Sequence, residues 1–134
     1  MKVKPEEREQ FAIVEWLDLM DLDYYHPIQE NVIKQPAYWS KMKRMGWNAG
    51  LSDLIVYLPP HRCLSRKGGL LFIELKKSRT RKKNGEYKAL SSDNISVSES
   101  QERFIDMVNS VPGCQGMVAF GWEEARDFIV KFLV

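Results

Sequence analysis

The chain has 134 residues, of which 44% are hydrophobic and 28% charged, with a formal net charge of +2. These are ordinary globular values; they exclude a fibrous repeat or a disordered tail and allow one compact domain with a real core. So small a net charge does not by itself imply a polyanionic partner, so the distribution of charge carries the information.

The two cysteines, Cys63 and Cys114, lie far apart, and neither sits in a CxxC or CxxH spacing. A zinc centre is therefore not expected; one disulfide is open, without the density of a secreted disulfide scaffold. The opening MKVKPEEREQ is charged and has no apolar core of a signal peptide, and no run approaches the length of a membrane span. The expectation is a cytoplasmic protein with no membrane partner.

Taken in chain order, residues 5 to 21 predict a helix. Pro5 suits a first helical position, Glu6, Glu7 and Glu9 suit the positive end of the helix dipole, and Phe11, Ile13, Val14, Trp16, Leu17 and Met20 give a broad apolar face, with Glu15 and Asp18 opposite it. Residues 22 to 35, with Tyr24, Tyr25, His26, Pro27 and Ile28, read as a short strand or extended segment. A second helix is expected over 36 to 46, carrying Tyr38, Trp39, Met42 and Met45 and stopped by Gly46.

Two short apolar runs follow, LIVYL at 54 to 58 and LLFIEL at 70 to 75. Their length, β-branched content and flanking Pro59, Pro60, Gly68 and Gly69 predict buried strands joined as a hairpin. Residues 76 to 94 are polar and basic, and read as a mobile loop. A helix is expected from about Glu99 to Val111, capped by Ser96 or Ser98, with Phe104, Ile105, Val108 and Val111 inward and Pro112-Gly113 ending it. Met117 to Phe120 reads as a strand. A last helix runs from about Glu123 to the C-terminus, with Ala125, Phe128, Ile129, Phe132 and Leu133 facing the core. The order α, β, α, β, β, α, β, α predicts a mixed α/β domain with a small central sheet and no linker dividing residues 1–134.

The chemistry sits on the expected hairpin. Gly50-Leu51-Ser52-Asp53 opens its first strand, and Glu74-Leu75-Lys76 ends its second. Residues two apart on a strand share a face, so Glu74 and Lys76 project together while Leu75 points into the core. Pairing the strands brings Asp53 beside them. Two carboxylates and the Leu75 carbonyl make an oxygen donor set for a hard divalent cation. A metal there lowers the pKa of a bound water, and Lys76 orients that water or offsets charge in the transition state. Either short pattern alone is common on protein surfaces; on consecutive strands they become specific.

Between positions 76 and 88 stand Lys76, Lys77, Arg79, Arg81, Lys82, Lys83 and Lys88 against one acid, Glu86. Such a run is usually a solvated loop. Here it leaves directly from the expected metal site, where phosphate-binding charge is useful, and Lys41, Lys43 and Arg44 can extend the surface. His26 and His61 lack partners at ligand spacing and read as ordinary. The four tryptophans read as packing. Neither a P-loop nor a GxSxG elbow is present.

With these residues in place, the chain resembles the virus-type replication-repair nuclease (VRR-NUC) domain, a branch of the PD-(D/E)XK nuclease superfamily. The resemblance runs through EEREQFAIVEWLDLM, KMKRMGWNAGLSDLIV, LLFIELKK, SVSESQERFIDMV and GWEEARDFIVKFL, five modest motifs in the right order. It implies a restriction-endonuclease-like core, Mg²⁺ or Mn²⁺ held by Asp53 and Glu74, Lys76 as catalytic lysine and Gln101 as an active-site polar residue. The acid of the first helix falls on Glu9, directly before Gln10, or on Glu6 one turn earlier; Glu9 is the better match. One departure is Ser52, where the family usually has Pro. The resemblance further implies a homodimeric endonuclease of bacterial or phage origin, acting on branched DNA such as Holliday junctions. The alternatives are a flap, end-directed or restriction-like nuclease, or a non-catalytic nucleic-acid-binding module on the same fold.

Overall fold

The structure, a computed structural model, describes residues 2–27, 35–46 and 52–134. The expectations for Ile28, Trp47, Gly50 and Leu51 lie outside the described residues.

The first helix, α1, spans Pro5–Leu19, with Pro5 in its first turn and the Glu7 carboxylate accepting from the Lys4 backbone N–H at 3.0 Å. Strand β1 is Tyr24–Tyr25, and helix α2 is Pro36–Arg44, ended beyond Met45 by Gly46 at φ +104°. Strands β2 (Leu54–Leu58) and β3 (Gly69–Lys76) form the expected hairpin. Helix α3 is Glu99–Asn109, β4 is Cys114–Phe120 and α4 is Trp122–Val130. The sheet is mixed, in the order β1-β2-β3-β4; only the β3–β4 pair is parallel, joined through α3.

Period-two alternation sorts the strands' side chains. Leu54, Val56, Leu58, Leu71, Ile73 and Leu75 are buried, and they form one cluster with Ile13 and Leu17 of α1 and Ala125 and Ile129 of α4. On the alternate positions, Phe72 meets Phe104 of α3 edge-on at 5.7 Å between ring centres. Glu74 shares that second face with Phe72, so α3 is the helix that covers it.

Four expectations change. Phe11 is exposed, as is Val111; the buried stripe of α1 is the narrower pair Ile13 and Leu17, with Val14, Trp16 and Met20 at its edges. The last helix stops at Val130. Phe132 and Leu133 still pack on the core from the tail beyond it, where Leu133 bridges Cys63. Both cysteines are free thiols.

The fourth change is the basic segment, which is a built hairpin rather than a loose loop. Arg81 and Tyr87 pair across it, Lys88 N–H donates to Thr80 C=O at 2.8 Å, and the turn closes through Gly85 N–H to Lys82 C=O at 3.0 Å. A 3₁₀ turn over Leu90–Asp93 pins its root: the Asp93 carboxylate accepts from Thr80 N–H at 2.8 Å and from Thr80 Oγ1 at 2.7 Å. These two bonds hold the Asp93 carboxyl below its ordinary range. Among the described residues, no helix is long and apolar enough to cross a membrane.

Candidate active site at the end of the central hairpin

The β2–β3 register pairs Leu54 with Ile73. One step further, Asp53 stands opposite Glu74. The parity of this pair follows from the other side of β2, where Tyr57 N–H bonds to Asp23 C=O. Odd-numbered residues of β2 therefore direct their backbone groups toward β1, and even-numbered ones toward β3. Asp53 and Glu74 form a non-hydrogen-bonded pair, the closest approach that two side chains make across an antiparallel ladder.

Two carboxylates so placed repel one another, and the surroundings sharpen the conflict. Glu74 is only 4% exposed. Its Oε1 accepts from Gln101 Nε2 at 2.8 Å and lies 3.6 Å from Lys76 Nζ. Its Oε2 is buried with no hydrogen-bond partner among the described residues. Burial first, then the neighbouring Asp53, push the Glu74 carboxyl up from an ordinary 4.5 to about 8, against the opposing pull of Lys76. A buried, half-satisfied acid costs stability unless it does something else.

Asp53 is held differently. Its Oδ2 accepts from Leu75 N–H at 2.8 Å, so the side chain takes the donor at the place where the next ladder bond to β3 belongs. Its carbonyl meets His26 Nδ1 at 2.6 Å.

Gln101 does two things at once. Ser98 caps α3: its Oγ accepts from Gln101 N–H at 3.2 Å, while Ser98 N–H donates to Gln101 Oε1 at 3.0 Å. That leaves the amide nitrogen of Gln101 to reach Glu74. The helix cap and the carboxylate partner are the same residue.

Of the expected site residues, Asp53, Glu74, Lys76, Leu75 and Gln101 come together here. Glu9, on α1, has both oxygens engaged by other residues, Oε1 by Ser78 Oγ at 2.8 Å and Oε2 by Trp122 N–H at 2.6 Å. Trp122 opens α4, so Glu9 caps that helix. Gly121, at φ +102°, makes the contact possible, because a Cβ there would lie 2.5 Å from Ser78 Oγ. Glu6 is exposed in the first turn of α1.

The basic residues divide. The Arg79 guanidinium lies between Tyr87 and Phe120, at 4.8 and 5.7 Å from their ring centres, and donates to Lys88 C=O. Arg81 stacks on Tyr87 and donates to its hydroxyl. Both arginines build the hairpin. Lys82 and Lys83 stand exposed at its tip, Lys77 is half-buried near its root, and Lys43 and Arg44 lie exposed on α2, outside the group formed by β2, β3 and α3.

The donor chemistry fits a hard divalent cation. Two carboxylates at closest cross-strand approach, one with an orphaned buried oxygen, are relieved by positive charge between them. Among the described residues no third Asp, Glu, His or Cys joins them to make a metal cluster. A cation here would rely on the Leu75 carbonyl, water and ligand oxygens, the sparse protein ligation usual for Mg²⁺. His26, Ser78 and Trp122 were missed by sequence reasoning. The first has no motif; Ser78 acts through its hydroxyl and Trp122 through its backbone N–H, both on Glu9 across a long sequence separation.

No family model matches the sequence, and no curated protein matches it. Among solved structures, the chain is similar to one described as "VRR_NUC domain protein", with 23% identity and a TM-score of 0.64 over 98% of this chain and 90% of that one. A second, described as "VRR_NUC domain", gives 18% identity and a TM-score of 0.57 over 96% and 97% of the two chains. At these identities the likeness is one of fold. The chain has the fold of VRR-NUC domains over nearly its whole length.

Proposed function

We propose that this chain is a nuclease that hydrolyses phosphodiester bonds in DNA, with Asp53, Glu74 and the Leu75 carbonyl holding Mg²⁺ or Mn²⁺. The observation that carries the reading is the buried, unpartnered Oε2 of Glu74 facing a second carboxylate. A buried carboxylate oxygen left without a donor beside a second carboxylate is relieved by a bound cation. The VRR-NUC fold supports the same reading, since those domains are named for nuclease activity.

When bound, the cation supplies a more acidic water and a counter-charge for the phosphate. The protein's own groups do the rest. Lys76, 3.6 Å from Glu74, places an ammonium where negative charge grows in the transition state. Gln101 keeps Oε1 of Glu74 turned away, so that Oε2 is the oxygen presented. The Leu75 N–H fixes one oxygen of Asp53 and leaves the other to bind. The hairpin tip offers Lys82 and Lys83 to the phosphate backbone, and Lys77, Lys43 and Arg44 extend the charge. Arg79 and Arg81 contribute by holding the hairpin.

The motif resemblance extends the proposal to an endonuclease that acts as a homodimer on branched DNA such as Holliday junctions. The test is cleavage of a labelled four-way junction and a matched linear duplex, with Mg²⁺, Mn²⁺ or EDTA, by wild type and Glu74→Gln. Metal-dependent junction cutting that the variant loses is the expected result. Equal cutting of both substrates removes the junction preference and keeps the nuclease. Tight binding without cutting in either metal overturns the enzyme reading in favour of a binding module. Sedimentation of the protein with junction DNA decides the dimer.

A further inference from the structure

Asp53 sits where two ladders stop. On the β1 side the ladder ends at Tyr25 opposite Ile55; continued two steps in the same register, it would set Pro27 against Asp53. By the parity set at Tyr57, Pro27–Asp53 is a hydrogen-bonded position, and the Asp53 carbonyl there expects a backbone N–H from β1. Proline has none. The imidazole of His26 fills the vacancy, with Nδ1 at 2.6 Å from the Asp53 carbonyl oxygen. A carbonyl only accepts, so the proton is on Nδ1.

We propose that His26 is a positioning residue of the metal centre, substituting for the ladder bond that Pro27 cannot make. Without it, no other group among the described residues holds the Asp53 carbonyl, and the Asp53 peptide is freer to twist. Among the described residues its carboxylate is fixed by Leu75 N–H at 2.8 Å, a bond on the other side of the same strand. His26 thus holds the main chain from one side while Leu75 holds the side chain from the other, and together they aim the remaining oxygen of Asp53 toward Glu74. This inference rests on the reading of Asp53 as a metal ligand. The claim that His26 restrains Asp53 stands on geometry alone.

The chemistry makes a sharp discrimination available. An asparagine amide places its nitrogen close to where Nδ1 stands, whereas a glutamine amide reaches the Nε2 position. His26→Asn is expected to restore what His26→Ala loses, and His26→Gln is not. Two readouts are taken on the full chain. Amide exchange at Leu75, followed by NMR in the absence of metal, is expected to quicken severalfold in His26→Ala and His26→Gln and to return toward wild type in His26→Asn. Mn²⁺ affinity by electron paramagnetic resonance is expected to fall about tenfold in the same two variants, in the range typical for groups that orient metal ligands.

Unchanged Leu75 exchange in a folded His26→Ala overturns the proposal, as does an asparagine variant no better than alanine. If wild type cleaves no DNA with any metal, the nuclease reading fails, and Leu75 exchange still decides the role of His26. If wild type cleaves and His26→Ala matches it in both readouts, the nuclease stands and this inference falls.

Discussion

Two buried acids flank the basic segment, and the protein treats them in opposite ways. Asp93, at the root of the hairpin, has each carboxylate oxygen bonded to Thr80, and those bonds hold its carboxyl low. Glu74, at the end of β3, keeps one oxygen unpartnered, and burial beside Asp53 holds its carboxyl high, at about 8. Both are almost out of solvent. Burial alone therefore does not distinguish a structural acid from a functional one; completeness of hydrogen bonding does. Where each oxygen has a donor, the acid is a fastener. Where one is left over inside the protein, something outside the protein is expected to use it.

The comparison breaks most visibly under substitution. Glu74→Gln is expected to lower metal-dependent cleavage by about a thousandfold, the scale of losing a group that acts on developing charge. Asp93→Asn is expected to leave the rate at saturating DNA within about threefold, since it touches no reacting atom. Single-turnover rates with Mg²⁺ at saturating junction DNA check both, and equal losses in the two variants would erase the distinction.

The second contrast is in stability against pH. The folded chain holds the Glu74 proton more tightly than the unfolded chain does, so the stability it contributes is full below pH 4.5 and is lost as pH rises through about 8. Metal-free protein should melt progressively lower from pH 5 to pH 8.5, and Glu74→Gln should flatten that slope. Adding Mg²⁺ at pH 8 should restore the loss, because the cation favours the ionised form. Asp93 has the reverse sign: its lowered carboxyl supports the fold above its ordinary range and stops doing so as pH falls through its folded value. Thermal melts of wild type, Glu74→Gln and Asp93→Asn across pH 3 to 9 separate the two.

A smaller effect sharpens the hairpin's role. Asp93→Asn can keep a contact to both Thr80 groups, its carbonyl accepting from the N–H and its amide donating to the hydroxyl, but it loses the charge that strengthens both, and the hairpin root loosens. Affinity for duplex should fall about threefold to tenfold, near the 1 kcal/mol of a single hydrogen bond. Charge reversal at the tip, Lys82→Glu with Lys83→Glu, should lower the same affinity and reduce its salt dependence. Filter binding in Ca²⁺ with Glu74→Gln as background, repeated at several salt concentrations, measures this. No change in either would remove the hairpin from the DNA surface.

How much of this was legible in the sequence depended on the range of the interaction. Asp53, Glu74 and Lys76 could be placed together because strand alternation and a hairpin are local rules, and the observed register agrees with them. The mixed sheet followed from element order. Phe11 was misplaced because α1 is apolar over more than one face, and its partners, α4 and the sheet, decide which part is covered. The basic segment looked loose because its order comes from polar contacts across 13 positions, Thr80 to Asp93, and from an arginine between two rings. His26 was invisible for a subtler reason. Its partner is a backbone carbonyl, and the need for it arises because the β1–β2 ladder stops at Tyr25 and Ile55, short of Asp53.

Glu9 gives the smallest expected effect and the finest test of how far the acidic cluster extends. The motif resemblance makes it an active-site acid, while its geometry makes it a cap: one oxygen on Trp122 N–H at the start of α4, the other on Ser78 two residues beyond Lys76. Glutamine preserves both contacts, since its carbonyl accepts from Trp122 and its amide donates to the Ser78 hydroxyl. What it removes is charge at a helix N-terminus, about 0.3–1 kcal/mol. If Glu9 only fastens α1 to α4, Glu9→Gln melts within a few degrees of wild type and cleaves within about threefold of it. Glu9→Ala, which loses the cap itself, should cost about 1–2 kcal/mol in stability, measured by urea unfolding. A Glu9→Gln variant that folds like wild type and yet loses cleavage as Glu74→Gln does would show that a fully hydrogen-bonded acid also serves the reaction. Completeness of hydrogen bonding would then no longer separate fastener from catalyst at this end of the sheet.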